Sequence, residues 1–274
     1  MSHSWWHKLK SVRPSTILVA ILAIMAAISV IVAVLDVHAA PPPAERGQTI
    51  FDSGPPVVRT ESAPSVLFIG DSYTMGPNNL QEYGYACVAA SDMGWQCKLG
   101  VQPGTGYISG GEGFRLPMTP GVLEEPSTSL SERFPRLREQ YRADIVVLDA
   151  GRNDIQYGPE SLRNALVYTV ARAIQSWPNA RIIVIAPWFV SQPNIVIPSG
   201  DGMTLGRYLE QALRSDPQFD AVTLIDPGAL GWFAGMDVAR YVSVDGINPN
   251  VAGHKVIGDL LATELKRRGF ASKV

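Results

Sequence analysis

"SVLFIGDSYT", residues 65–74, decides the fold. An unbroken run of β-branched and large apolar side chains ends at Gly70 and gives way to Asp-Ser-Tyr-Thr. A strand that is apolar at every position, rather than at alternate ones, is covered on both faces, as strands of parallel sheets are. Gly70 permits a sharp turn at the end of the run, and Ser72 is presented at the strand tip. There its hydroxyl has two readings: a nucleophile aimed at a carbonyl, or the N-cap of a following helix.

The same alternation continues downstream. Strand-like runs occur at 95–101, 144–150, 181–187 and 221–226, and helix-like stretches near 80–93, 131–142, 160–176, 204–215 and 250–268 separate or follow them. Strands alternating with helices predict a three-layer α/β/α sandwich with a five-stranded parallel sheet, flavodoxin-like, over residues 65–274. No internal repeat is present.

Upstream of this domain the character changes. Residues 1–16 carry Lys8, Lys10 and Arg13 without an acid, and Ile17–Leu35 is apolar apart from Ser29. Such a helix nearly spans a hydrocarbon core of about 30 Å. The basic flank predicts a cytoplasmic N-terminus, a transmembrane anchor over 17–37 and an extracytoplasmic remainder. A cleaved signal peptide is the competing reading, with small residues suitably spaced at Val37–Ala39; the apolar run exceeds the usual 7 to 15 or so residues of a signal peptide and favours the anchor. Residues 38–64, with "AAPPPAERGQ" and "SGPPVV", read as a Pro-rich linker. Cys87 and Cys97 are the only cysteines in the 274-residue chain, and in an exported domain an even pair predicts a disulfide. A formal charge of -2 with no basic run argues against a nucleic-acid partner.

Ligands in open parallel sheets bind beyond the carboxyl ends of the strands. The second strand runs into "QPGTG", where Gly104 either brings a backbone N–H to a ligand or simply turns the chain. The third runs into "GRNDI", where the Asn153 amide suits a developing oxyanion or an Asx-turn, and Asp154 reads as support for that turn. The fifth is followed by "YVSVDGINPN", which supplies Asp245. The Gly- and Pro-rich stretch 103–130 is longer than an ordinary connection and reads as a functional loop or a structural excursion. Its glycines lack the dinucleotide-binding spacing, and no cluster of His, Cys and carboxylates has metal-ligand spacing, so neither cofactor nor metal is expected.

Taken in order, "GDSYT" at 70–74, Gly104, "GRND" at 151–154 and "DGINPN" at 245–250 resemble the SGNH hydrolases, also called the GDSL-like esterase and lipase superfamily. The resemblance implies Ser72 as nucleophile. It implies an oxyanion hole made by the backbone N–H groups of Ser72 and Gly104 and the Asn153 side chain, and Asp245 orienting a histidine three residues later. Acyl-ester hydrolysis through an acyl-enzyme would follow, with water or a sugar hydroxyl as acceptor.

Position 248 departs from that pattern, because it is asparagine, and an amide takes no proton from a serine hydroxyl near neutral pH. His254 is the one histidine of the folded domain and the one possible substitute base; its other reading is a cap or surface residue at the start of the last helix. Three accounts of Asn248 stand: a natural variant of low activity, a handover of the base to His254, or a His→Asn change that holds substrate without turnover. Trp188, Phe189, Trp232, Phe233 and Met236 read as walls of an acyl or sugar pocket or as packing. The expected activity is an extracytoplasmic esterase or acyltransferase on O-acylated glycans or lipids of the cell envelope; the alternative is an inactive domain of the same fold that binds envelope polysaccharide or a partner.

Overall fold

The computed structural model describes residues 63–77, 80–118, 125–198 and 201–270. The anchor expected at 17–37, and the expected linker apart from its last two residues, lie outside the described residues. Among those described, no helix is long and apolar enough to cross a membrane.

Five strands form one sheet: β1 (Ser65–Gly70), β2 (Gln96–Val101), β3 (Ile145–Asp149), β4 (Arg181–Ile185) and β5 (Thr223–Ile225). All neighbours pair in parallel, in the order β2-β1-β3-β4-β5. The helices are the four-residue α1 (Ser72–Met75), α2 (Tyr85–Asp92), α3 (Leu130–Gln140), α4 (Pro159–Ser176), α5 (Leu205–Arg214) and α6 (Val251–Arg267).

Period-two alternation divides each strand between two cores. Leu67, Ile69, Val146, Leu148, Ile182 and Val184 pack with α3, α4 and α5. Val66, Phe68, Ile145, Val147, Ile183 and Ile185 pack with α2 and α6. This is the expected three-layer sandwich, with both sheet faces covered. The stretch anticipated as one helix at 80–93 divides into a 3-10 turn (Gln81–Tyr83) and α2, because Gly84 between them lies backbone to backbone against Gly76 and leaves no room for a side chain.

Local sequence sets the helix starts. Ser129 and Glu132 form a reciprocal capping box on α3, Thr204 caps α5, and Asn250 accepts the Gly253 N–H at the start of α6. The predicted disulfide is present: Cys87 of α2 joins Cys97 of the edge strand β2. Strand order reverses direction at β1, between β2 and β3, so a crevice opens beyond the C-terminal tip of β1. Ser72 stands at that tip.

Candidate active site

Asp71 takes the capping role that the sequence left open for Ser72. Its carboxylate accepts the Tyr73 N–H at 2.9 Å, so Ser72 enters α1 as the first helical residue with its hydroxyl free for other work. That hydroxyl donates to Asn248 Oδ1 at 3.1 Å. Asn248 Nδ2 in turn donates to Asp245 Oδ2 at 2.7 Å, and Asp245 Oδ1 accepts the backbone N–H groups of Ile247 (2.8 Å) and Asn248 (2.9 Å). A carboxylate only accepts, so the amide nitrogen must face Asp245 and the amide oxygen Ser72. Partial desolvation works against the Asp245 charge, but the bonds from the Asn248 side chain and the two N–H groups outweigh it and hold the carboxyl below its usual range. Serine, amide and carboxylate thus stand in line, in the order of a serine-hydrolase triad with the imidazole replaced.

His254, in the first turn of α6, is not joined to Ser72. Its Nδ1 accepts the Tyr85 N–H at 3.2 Å, and its ring stacks on Tyr85 with centroids 6.0 Å apart and planes 10° from parallel. Burial lowers its pKa to about 4. With Nδ1 committed to a donor, the imidazole keeps its proton on Nε2 and has no lone pair to offer Ser72.

Gly104, in the loop after β2, adopts φ +70°, which only glycine takes without strain. Neither the Ser72 nor the Gly104 backbone N–H donates to a protein acceptor among the described residues. The Asn153 side chain spans the tips of β1 and β3: Nδ2 donates to Thr105 O at 2.9 Å and, more loosely, to Asp71 Oδ2 at 3.3 Å. Asn153 is neither an Asx-turn nor a cap. Asp154 reaches further than its own turn, accepting the N–H groups of Tyr107, Ile108 and Ser109 at 2.7, 3.2 and 2.8 Å and so fixing the Gly-rich loop.

Beneath the site lies a buried ionic bed that the sequence reading missed. Arg152 makes two bonds to Asp149, at 2.8 and 2.7 Å, and a 3.4 Å contact to Asp71. Tyr85 and Thr74 donate to the same Asp149 Oδ2, and the Arg152 guanidinium lies 4.3 Å over the Tyr73 ring. Burial is the largest influence on Asp71 and raises its pKa to about 6, against the pull of Arg152. Arg133, also buried, donates to Gly70 O (3.0 Å), Gly100 O (2.8 Å) and Thr105 Oγ1 (3.0 Å), lashing the β1 and β2 tips to the loop; loss of hydration lowers its pKa to about 9. Charged residues ending otherwise apolar strands, as in "VVLDAGRND", were the available signal.

An open cavity of about 600 Å³ adjoins Ser72, between α1 and the start of α6. Asp245, Asn248 and His254 line it together with Met75, Pro77, Pro103, Val242, Val244 and Val251. Gly104 and Asn153 are not among its walls. The four aromatic residues and Met236 anticipated as pocket walls do not line it either: Trp188, Trp232 and Phe233 are buried against one another in the α2/α6 core, Phe189 packs on that core, and Met236 lies at the surface. Among the described residues no group of His, Cys, Asp and Glu is placed to hold a metal.

A parallel α/β/α sandwich carrying a serine at the first strand tip and a carboxylate reached from it through one side chain has the layout of the serine acyl-hydrolase class of site. The chain belongs to the GDSL-like lipase/acylhydrolase family, whose pattern matches residues 68–256. It is 28% identical over 204 residues to a GDSL lipase of Mycobacterium tuberculosis, covering 72% of this chain and 79% of the lipase. In fold it is similar to an active-site mutant of a family two carbohydrate esterase from Clostridium thermocellum (TM-score 0.55, 17% identity, 76% of this chain). It is also similar to a two-domain esterase active on acetylated mannans, co-crystallised with mannopentaose (TM-score 0.52, 14% identity, 77% of this chain). The chain spans 65% of the length of the first of these esterases and 51% of the second.

Proposed function

We propose that this chain is a membrane-tethered, extracytoplasmic esterase-type domain that binds O-acylated glycans or lipids of the cell envelope and turns them over slowly. Ser72 is the nucleophile, the Ser72 and Gly104 N–H groups receive the carbonyl oxygen, joined by Asn153 Nδ2 once its loose 3.3 Å bond to Asp71 gives way, and Asn248 occupies the base position. The observation that carries the reading is the continuous line Ser72 Oγ–H to Asn248 Oδ1 and Asn248 Nδ2–H to Asp245. An amide oxygen orients the hydroxyl without accepting its proton, so attack on an ester proceeds without general-base help, which is worth about a hundred- to ten-thousand-fold. Positioning and the oxyanion donors remain, and these alone sustain some rate over water.

The apolar run 17–35 and the Cys87–Cys97 disulfide support the location and the arrangement of cytoplasmic segment, anchor, linker and domain. The carbohydrate esterases of like fold support a glycan ester over a lipid ester. A second reading, an inactive glycan-binding domain, is favoured by the same amide at position 248.

Hydrolysis of p-nitrophenyl acetate by the full-length chain separates the two. Asn248→His is expected to raise kcat/KM by about a hundred- to ten-thousand-fold, and Ser72→Ala to abolish the gain. An Asn248→His protein with no Ser72-dependent turnover refutes the esterase reading and leaves the binding domain.

A further inference from the structure

We infer that His254 is a neutral hydrogen-bond donor that holds a hydroxyl oxygen of the alcohol half of a glycan ester in the Ser72 cavity. The identity of the ester rests on the esterase reading above; the donor itself rests on geometry alone.

Nδ1 accepts the Tyr85 backbone N–H, which assigns the ring proton to Nε2. No group among the described residues accepts from Nε2. Yet the residue is only 1% exposed and forms part of the cavity wall beside Ser72. Nε2 is not one of the fully enclosed unpartnered polar atoms of the described residues, so its N–H is reached from the cavity and is completed there by water or a ligand.

The other polar groups of the wall are already engaged. Asn250 accepts from Gly253 and donates to the Arg240 and Val242 carbonyls; Ser243 Oγ donates to the Asn248 and Pro249 carbonyls. The Asn248 amide is spent between Ser72 and Asp245. What enters the cavity therefore meets an open side-chain donor, the His254 Nε2–H, beside the Ser72 backbone N–H assigned to the carbonyl oxygen, and an oxygen of the ligand completes it.

Two further features choose the class of that oxygen. Gly104 and Asn153 do not line this cavity, so the acyl chain or the alcohol enters it, and of the two only the alcohol of a glycan ester brings a hydroxyl to the donor. Met75, Pro77 and Pro103 line the same cavity with apolar surface, and the C–H faces of a sugar with a hydroxyl at the edge match both features. A neutral imidazole suits an uncharged hydroxyl, whose binding leaves no unpaired charge in the cavity.

The test uses the full-length chain labelled with ¹⁵N-histidine and titrated with methyl β-D-glucopyranoside. One of its four imidazoles is expected in the Nε2–H form at pH 7, taking up a proton only near pH 4, and its Nε2–H resonance moves saturably with the glucoside. His254→Asn keeps an oxygen for the Tyr85 N–H but is too short to reach the cavity, and is expected to weaken glucoside binding about fivefold, the worth of one neutral hydrogen bond. In the Asn248→His background, His254→Asn should raise KM for methyl 6-O-acetyl-β-D-glucopyranoside by the same factor and leave KM for p-nitrophenyl acetate, which lacks hydroxyls, within twofold. Absence of any imidazole still in the Nε2–H form at pH 5, or a Nε2–H resonance unmoved by the glucoside, overturns the inference. Absence of esterase activity in Asn248→His refutes the esterase reading instead, and the glucoside titration still decides the role of His254.

Discussion

The two halves of the site are built from different materials. The nucleophile half sits on strand tips over Asp71, Asp149 and Arg152, all nearly inaccessible and bonded to one another, with Tyr85 and Thr74 closing the network. The base half is a surface turn. Val242 and Pro249 pair across it, Ser243 closes it from within, and Val244, Asp245 and Ile247 face solvent. A fold defends the first half because its charges are desolvated and satisfied only by one another and by buried neighbours. It has little stake in the second, where water replaces any bond that is lost. The amide at position 248 is found on the side where chemistry can change without disturbing the core.

The sharpest way to break this contrast is to remove the buried cation. Arg152→Met leaves Asp71 and Asp149 facing each other without a counter-charge, and breaking such a pair from one side costs about 3–5 kcal/mol. Urea unfolding of the variant should show that loss. A change below about 1 kcal/mol would mean that the bed is not the rigid half, and the contrast would fail.

Asp154→Ala comes next. It strips the acceptor from three loop N–H groups while leaving the sheet intact, with an expected cost of about 1–3 kcal/mol. Hydrogen exchange should localise the effect at Tyr107, Ile108 and Ser109. In an Asn248→His background the change should lower kcat more than it raises KM, because Gly104 is carried by the same loop.

The sheet was legible because its signal is cumulative. β1, β3 and β4 carry near-continuous apolar runs and helices alternate with the strands, so ±2-residue errors at the ends do not alter the order of elements. Ser72, Gly104, Asn153 and Asp245 were legible for a related reason, since the strand-tip rule assigns them to one edge of the sheet before any coordinates exist. The bed was not legible. Asp149 and Arg152 are three residues apart and look like an ordinary charged turn; only the approach of Asp71, from a strand far off in sequence, makes them a desolvated triad. His254 was legible as the domain's single histidine, but its ring is turned by the backbone N–H of Tyr85, on another helix, and no local pattern announces that contact. Long-range pairing of polar groups is what periodicity cannot report.

The smallest expected effect sharpens the comparison most. Asn248→His should change stability by no more than about 0.5 kcal/mol, as substitutions in a half-buried surface turn that keep their partners do, even though it is expected to change the rate by orders of magnitude. The backbone of the turn is held without the Asn248 side chain: its carbonyl accepts from Ser243 N and Oγ, and its N–H donates to Asp245. An imidazole at this position keeps a ring N–H for the Asp245 carboxylate and turns its other nitrogen to Ser72, so neither partner is left unsatisfied. Chemical denaturation of the two proteins at neutral pH measures the difference directly. A loss of 2 kcal/mol or so would show that the turn has become adapted to the amide, and that the base half, too, is tied into the fold.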